Sequence, residues 1–276
     1  MKFTTAIVAA VVGASSVIAS ALPEGVVLTP RAPRMQARRA QRRGNVRLPA
    51  EGDHEAALNA PTNNTNTDYS SNWAGAVLIG SGYKSVTATI VVPTPKTPSG
   101  GSSRTQYAAS AWVGLDGDTC QSAILQTGVD FYVQGSSVSF DAWYEWYPDY
   151  AYTFSGFSIS AGDSITMTAA ATSTTAGKVT LVNNTKKKTV THSFSSESAA
   201  LCETNAEWIV EDFEEGSGMV PFANFGTVTF TGASVTTTSG STIGVSGADI
   251  MDIRQNNVVY TSCSTSGSNS VTCSYV

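Results

Sequence analysis

The sequence predicts an all-β protein, a sandwich of two antiparallel sheets, and three observations carry that prediction. Short runs with period-2 alternation and many β-branched residues recur between turn residues from Ala74 to the C-terminus. No stretch holds a 3.6-residue apolar pattern over three turns. Only 13% of residues are charged, about half the usual share for a soluble chain, while 61 of the 210 residues from Thr67 to Val276 are Ser or Thr. That composition excludes a coiled coil, a long-helix bundle and a charge-driven disordered chain. Gly 24 and Pro 10 are ordinary numbers in 276 residues and exclude collagen.

In chain order, Met1–Ala21 has the form of a secretory signal. Lys2 is its basic start, Ala6–Val12 its apolar stretch and Ala19-Ser20-Ala21 an A-x-A cleavage site. Gly13, Ser15 and Ser16 cut the apolar run well short of the roughly 20 residues a membrane span needs. The expectation is an exported, extracellular protein with no membrane partner. Residues 22–66 follow as a basic segment, with seven arginines between Arg31 and Arg47. Residues 1–66 carry eight basic and four acidic side chains, whereas 67–276 carry eight basic and seventeen acidic. A body at −9 does not seek phosphate backbones, so no nucleic-acid partner is expected. The arginines can instead dock on that body, as an inhibitory propeptide that acid loosens by protonating the carboxylates it faces.

The body, 67–276, reads as one domain of more than ten strands. Ala74–Ile79 and Ser85–Val92 flank Gly80-Ser81-Gly82. Ala111–Leu115 turns at Asp116-Gly117-Asp118 into Ser122–Val133, with a kink expected at Gly128. Ser137–Tyr147 stops at Pro148. Ser164–Thr172 and Lys178–Val182 flank Ala176-Gly177, and Lys188–Phe194 follows Asn183-Asn184. Ala206–Phe213, Thr227–Thr231, Ser234–Thr238, Ala248–Arg254, Val258–Ser262 and Ser270–Tyr275 complete the set. Hairpin-length links among so many strands imply two packed sheets.

Cys120, Cys202, Cys263 and Cys273 are even in number and lack zinc-site spacing, so disulfides are expected in an oxidising compartment. Three pairings are possible; Cys263–Cys273 across a hairpin with Cys120–Cys202 is the most natural. Sequons at Asn63 and Asn183 suit glycosylated surface positions.

His192 is the single histidine after residue 66 and reads as a solvated strand residue. No G-x-S-x-G elbow, phosphate-cradling glycine loop or metal-ligand cluster occurs, so no metal and no cofactor are expected. Carboxylates, amides and aromatics remain, and all five tryptophans lie in four runs with them. On a strand Glu207, Ile209, Glu211 and Phe213 share a face, so Glu211 points with apolar neighbours. Desolvation there raises a carboxyl pKa toward general acid/base use. Glu145 likewise shares a face with Trp143 and Tyr147.

The runs SNWAGA, AWVGLDGDTCQSAILQTGVD, DAWYEWYPD, NAEWIVEDFEE and VPFANFGTVTFT together resemble the fungal glutamic peptidases, the eqolisins, over Ser70–Val276. The resemblance implies two sheets of about seven strands each, of the concanavalin-like jelly-roll type, and acid endopeptidase activity insensitive to pepstatin. It implies a catalytic pair at Gln126 and Glu211. Trp73 and Trp112 match tryptophans of the family's cleft, Asp116 matches an aspartate near the pair, and Glu145 is grouped with these as substrate-binding. Cys120–Cys202 and Cys263–Cys273 match family disulfides. Gly216-Ser217-Gly218 stands where some relatives carry a further cysteine pair. The expected partners are protein or peptide substrates and the chain's own propeptide, with the mature enzyme a monomer. The rival is a glycoside hydrolase or carbohydrate-binding sandwich, in which Glu145 is essential and Gln126 dispensable.

Overall fold

The computed structural model describes residues 42–50 and 67–276. Among them every regular element is a strand. The predicted signal 1–21 and the Asn63 sequon lie outside the described residues.

Two large sheets form the sandwich. The first runs in the order Val258–Val259, Asp249–Gln255, Trp73–Ile79, Asn205–Glu211, Tyr107–Leu115, Ile124–Gln134, Ser137–Tyr147, Tyr152–Thr153. Thr67–Ser70 joins Asp249–Gln255 in parallel, and the other strands of this sheet pair antiparallel. The second runs Lys188–Phe194, Ala176–Asn183, Ser164–Ser173, Tyr83–Val91, Thr227–Thr237, Ser270–Tyr275, Thr261–Ser266, with Thr242–Ile243 beside Thr227–Thr237. Apart from two-residue strands each sheet has seven members, as expected. A third, small sheet pairs Arg42–Arg43 with Glu214–Glu215 and Gly218–Met219.

Alternation builds the second sheet. Val86, Ala88 and Ile90 on one strand and Ile165, Met167 and Ala169 on its neighbour are buried in the core. Between them Thr87 and Thr89 face outward opposite Thr168 and Thr166, with hydroxyls 2.9 and 2.7 Å apart. Cross-strand threonine pairs of this kind stabilise a pleated surface and account for the Ser/Thr-rich composition. In the first sheet both faces are buried. Trp208, Val210, Ala111, Val113, Leu125 and Phe131 enter the core. Trp73, Val77, Trp112, Ile124, Trp143, Ile209 and Met251 form a separate cluster on the opposite face, packed beneath Val46.

Several local expectations are corrected. Thr227–Thr231 and Ser234–Thr238 are one strand, Thr227–Thr237, with a register shift around Gly232, whose φ is 62°. Ala176 and Gly177 lie inside a strand with a shift between them, not in the turn. Val258–Ser262 splits, because the chain leaves the first sheet after Val259 and enters the second at Thr261. Through Gly128 the strand Ile124–Gln134 pairs continuously with both neighbours. The missing side chain of Gly128 serves close packing: a Cβ there would lie 2.5 Å from both the Ala111 carbonyl oxygen and Trp112 Cβ.

Both favoured disulfides, Cys120–Cys202 and Cys263–Cys273, are present. Asn183 contradicts its expected surface position. It is fully buried, its amide donating to Asp163 Oδ2 at 2.9 Å and to the Ser158 carbonyl, while its own oxygen accepts from Lys186 N–H. A glycan on that nitrogen is incompatible with this packing. The Asn-Asn turn there uses the side chain internally, as asparagine turns commonly do.

Candidate active site

Strand register assembles the site on the outer face of the first sheet. Gln126 is paired with Gly114 on one side and Glu145 on the other, and Gly114 with Glu207. The next row along this face is Ile209, Trp112, Gly128, Trp143, and the one after is Glu211, Ser110, Asp130, Asp141. A carboxylate–amide row and a carboxylate row thus flank a tryptophan row, in which Gly128 lets the Trp112 and Trp143 side chains pack closely against its backbone.

Residues 42–48 lie across this face, Arg42–Arg43 as a short strand and the rest without regular structure. The Gly44 N–H donates to Glu145 Oε2 at 2.9 Å, and the next backbone N–H, of Asn45, donates to Glu211 Oε1 at 3.1 Å. Glu211 Oε2 accepts from the Trp112 indole at 3.0 Å. Trp73, edge-on to Trp112 at 4.9 Å, donates its indole N–H to the Asn45 carbonyl at 3.0 Å. Gln126 Nε2 donates to Glu145 Oε2 at 3.2 Å, and Gln126 Oε1 is buried with no partner among the described residues. A Cβ on residue 44 would stand 2.5 Å from Gln126 Nε2 and 2.9 Å from Glu145 Oε2, so this position takes glycine.

Upstream, Arg42 is buried. Its guanidinium pairs with Asp130 at 2.6 and 3.0 Å and lies 3.6 Å from Glu145. Its plane stacks 3.7 Å above the Trp143 ring, and it also donates to Ser110 Oγ. Downstream, Asn72 grips the segment from below, donating to the Val46 carbonyl and accepting from Leu48 N–H. Arg47 reaches Asp118 at 3.2 Å and Asp68 at 3.3 Å.

Burial dominates the electrostatics. Glu211 is pushed up to about 7 by desolvation, against the opposing pull of Arg42, the Asn45 N–H and the Trp112 indole. Glu145 is held well above the carboxylate range, first by burial, with Arg42 and the Gly44 N–H opposing. Glu211 can therefore hold or release a proton near neutrality in this closed state. Among the described residues no group of three or more His, Cys, Asp or Glu has metal-holding geometry.

The family model described as the Peptidase A4 family matches residues 71–275.

The chain belongs to the Peptidase A4 family.

This glutamic peptidase is 48% identical to aspergillopepsin-2 of Aspergillus niger and 47% identical to scytalidopepsin B of Scytalidium lignicola, in each case over the whole of both chains. Its fold is similar to that of scytalido-glutamic peptidase solved with a transition state analog inhibitor. The two are 49% identical with a TM-score of 0.69, covering 75% of this chain and 98% of that one. Membership sets aside the carbohydrate alternative.

Of the residues named from the sequence, Gln126, Glu211, Trp73, Trp112 and Glu145 converge on the segment 44–45. Asp116 does not. Its carboxylate accepts from the backbone N–H groups of Cys202, Glu203, Thr204 and Asn205 at 2.8 to 3.1 Å, so it anchors the loop beside the Cys120–Cys202 bridge. His192 lies in the other sheet, half-buried rather than solvated, stacked on Tyr144 at 4.0 Å. Asp130, Arg42 and Gly44 were missed. Alternation held a signal for Asp130, two pleats from Gln126 on the same face; nothing local marked which arginine or glycine of the basic segment would matter.

Proposed function

We propose that this chain is the precursor of a secreted acid endopeptidase in which Glu211 and Gln126 activate a water, and that its basic segment holds the site shut until acid loosens it. The observation that carries the reading is the backbone of residues 44–45 already lying across the pair, with a peptide N–H on Glu211. In catalysis the Glu211 carboxylate takes a proton from water as the oxygen adds to the peptide carbonyl carbon. The Gln126 amide donates to the oxyanion that forms. Protonated Glu211 then gives its proton to the departing nitrogen, leaving a carboxylic acid and an amine.

Release of residues 42–48 readmits water to Glu211. Desolvation is the largest cause of its raised pKa, so its loss outweighs the loss of Arg42 and the pKa falls toward the ordinary carboxylate range. A base ionised in mildly acidic solution, with no imidazole on this face, suits an acid working range, and an amide in place of a second carboxylate suits insensitivity to pepstatin. The leader is held by Arg42 against Asp130 and by Arg47 against Asp118 and Asp68. Protonating those carboxyls weakens both anchors.

Glu211→Gln and Gln126→Ala test the roles. Glu211→Gln should abolish casein cleavage in acid, and Gln126→Ala should lose about 10²–10³ in kcat, the usual worth of an oxyanion donor. Unchanged thermal unfolding of both variants confirms an intact fold. A fully active Gln126→Ala enzyme overturns the role of the amide.

A further inference from the structure

We infer that Glu207, which the mechanism above does not use, is a positioning residue for the same reaction. As a neutral carboxylic acid it donates to Gln126 Oε1 and so keeps the amide nitrogen turned toward the cleft. The inference rests on the reading of Gln126 as the oxyanion donor.

Glu207 is fully buried on the outer face of the first sheet, and neither of its carboxyl oxygens has a hydrogen-bond partner among the described residues. Buried polar groups are otherwise almost always paired, so two such atoms on one side chain need a reason. Gln126 Oε1 is in the same condition. Both side chains stand in one cross-strand row, Val77, Glu207, Gly114, Gln126, Glu145. Neighbouring strands lie about 4.8 Å apart, so the backbones of Glu207 and Gln126 are about 10 Å apart. Two long side chains meet over that distance only if the residue between them has none, and Gly114 is that residue. A Cβ on it would lie 2.9 Å from Glu207 Oε1 and 3.3 Å from Gln126 Cβ, so the carboxyl leans over the glycine toward the glutamine. Trp112 closes the space from the side. Its Cζ3 comes within 2.7 Å of the same point, while its indole N–H reaches Glu211.

What Glu207 decides is which way the amide faces. The oxygen and nitrogen of a glutamine are nearly equal in size, so its neighbours' donors and acceptors choose its orientation, and only the nitrogen can donate to an oxyanion. Gln126 Nε2 donates to Glu145 Oε2 at 3.2 Å, which turns the amide oxygen away from Glu145. An ionised Glu207 only accepts, and would draw the nitrogen back across Gly114. A protonated Glu207 has an O–H to give and holds the oxygen there instead. Burial, followed by the charges of Asp116 and Asp118, keeps this carboxyl well above the usual carboxylate range. Asp249 stands beyond Val77 in the same row, and Arg47, the cation of this corner, is committed to Asp118 and Asp68. Glu207 thus touches neither water nor substrate and acts through the amide.

The test compares Glu207→Gln with Glu207→Leu, and Glu207→Met as a second apolar variant, in the acid-treated full-length chain. kcat and KM are measured on a peptide substrate, and thermal unfolding checks each fold. Glutamine keeps a donor of the same length, so Glu207→Gln should stay within about 2-fold of wild type, whereas the apolar variants should lose about 10-fold in kcat with KM unchanged, the usual worth of one neutral hydrogen bond. In the Gln126→Ala background the apolar variants should change the residual rate no further, because the group they act through is gone. Wild-type kcat in the apolar variants overturns the inference. A loss in Glu207→Gln equal to theirs overturns it too, as does an undiminished loss in the Gln126→Ala background. A fully active Gln126→Ala enzyme overturns instead the catalytic reading on which it rests.

Discussion

The outer faces of the two sheets follow the same pleat and reach opposite chemistries. On the second sheet, Thr87, Thr89, Thr166 and Thr168 meet water in hydroxyl pairs. On the first, Gln126, Glu145, Glu207 and Glu211 occupy the equivalent outward positions and are fully buried among indoles. A strand face becomes a site when something covers it, and here part of the cover is the chain's own residues 42–50. Desolvation beneath that cover, more than any pairing, perturbs the carboxyls.

The largest expected effect separates the faces by titration. Glu211, Asp212 and Asp252 stand at about 7, about 8 and about 6, each raised first by burial. A carboxyl raised on folding binds its proton more tightly in the native state. Its stabilisation is complete below the unfolded value of roughly 4 and is lost as pH rises through the folded value. The unfolding free energy of the Gln126→Ala precursor should therefore fall steadily from about pH 4 to about pH 8, by on the order of several kcal/mol in all. Asp212→Asn should flatten the upper part of that fall in calorimetry, whereas a flat wild-type profile would remove the burial argument.

Next in size is Arg42→Met, which leaves Asp130 and Glu145 without their buried partner. Losing one member of such a pair costs about 3–5 kcal/mol, so the leader should lose its hold and casein cleavage should follow acidification without delay. An unchanged lag would mean that the anchor lies elsewhere. Gly128→Ala follows. Its methyl meets the Ala111 carbonyl and Trp112 Cβ at 2.5 Å, an overpacking worth about 1–3 kcal/mol in denaturant titration, with Trp112 displaced from Glu211 and activity lowered. The smallest is Thr168→Ala on the opposite sheet, which should cost about 0.2–1 kcal/mol and leave kcat untouched.

Much was legible in the chain because alternation is local. Period-2 runs located nearly every long strand, and hairpin-length links required two sheets. The same parity puts Glu211 on an apolar face. Gln126 was different: one amide in ILQTG carries no local signal, and only the wider resemblance singled it out. Asp116 shows the converse error, since an aspartate beside a motif looked like part of the cleft while its oxygens were committed to the 202–205 backbone. Asn183 shows the same limit, a sequon whose amide the fold uses internally.

The sequence by itself determined the fold class, the inward and outward parity of each strand, and the opposite charges of leader and body, because those depend on neighbours along the chain. Only the tertiary structure decided which of seven arginines is buried, which glycine lies on Gln126 and which peptide nitrogen meets Glu211. The arginine and nitrogen contacts join residues 88 and 166 positions apart, and their register is set by strand pairing and side-chain packing across the sheet, which no single stretch of sequence contains.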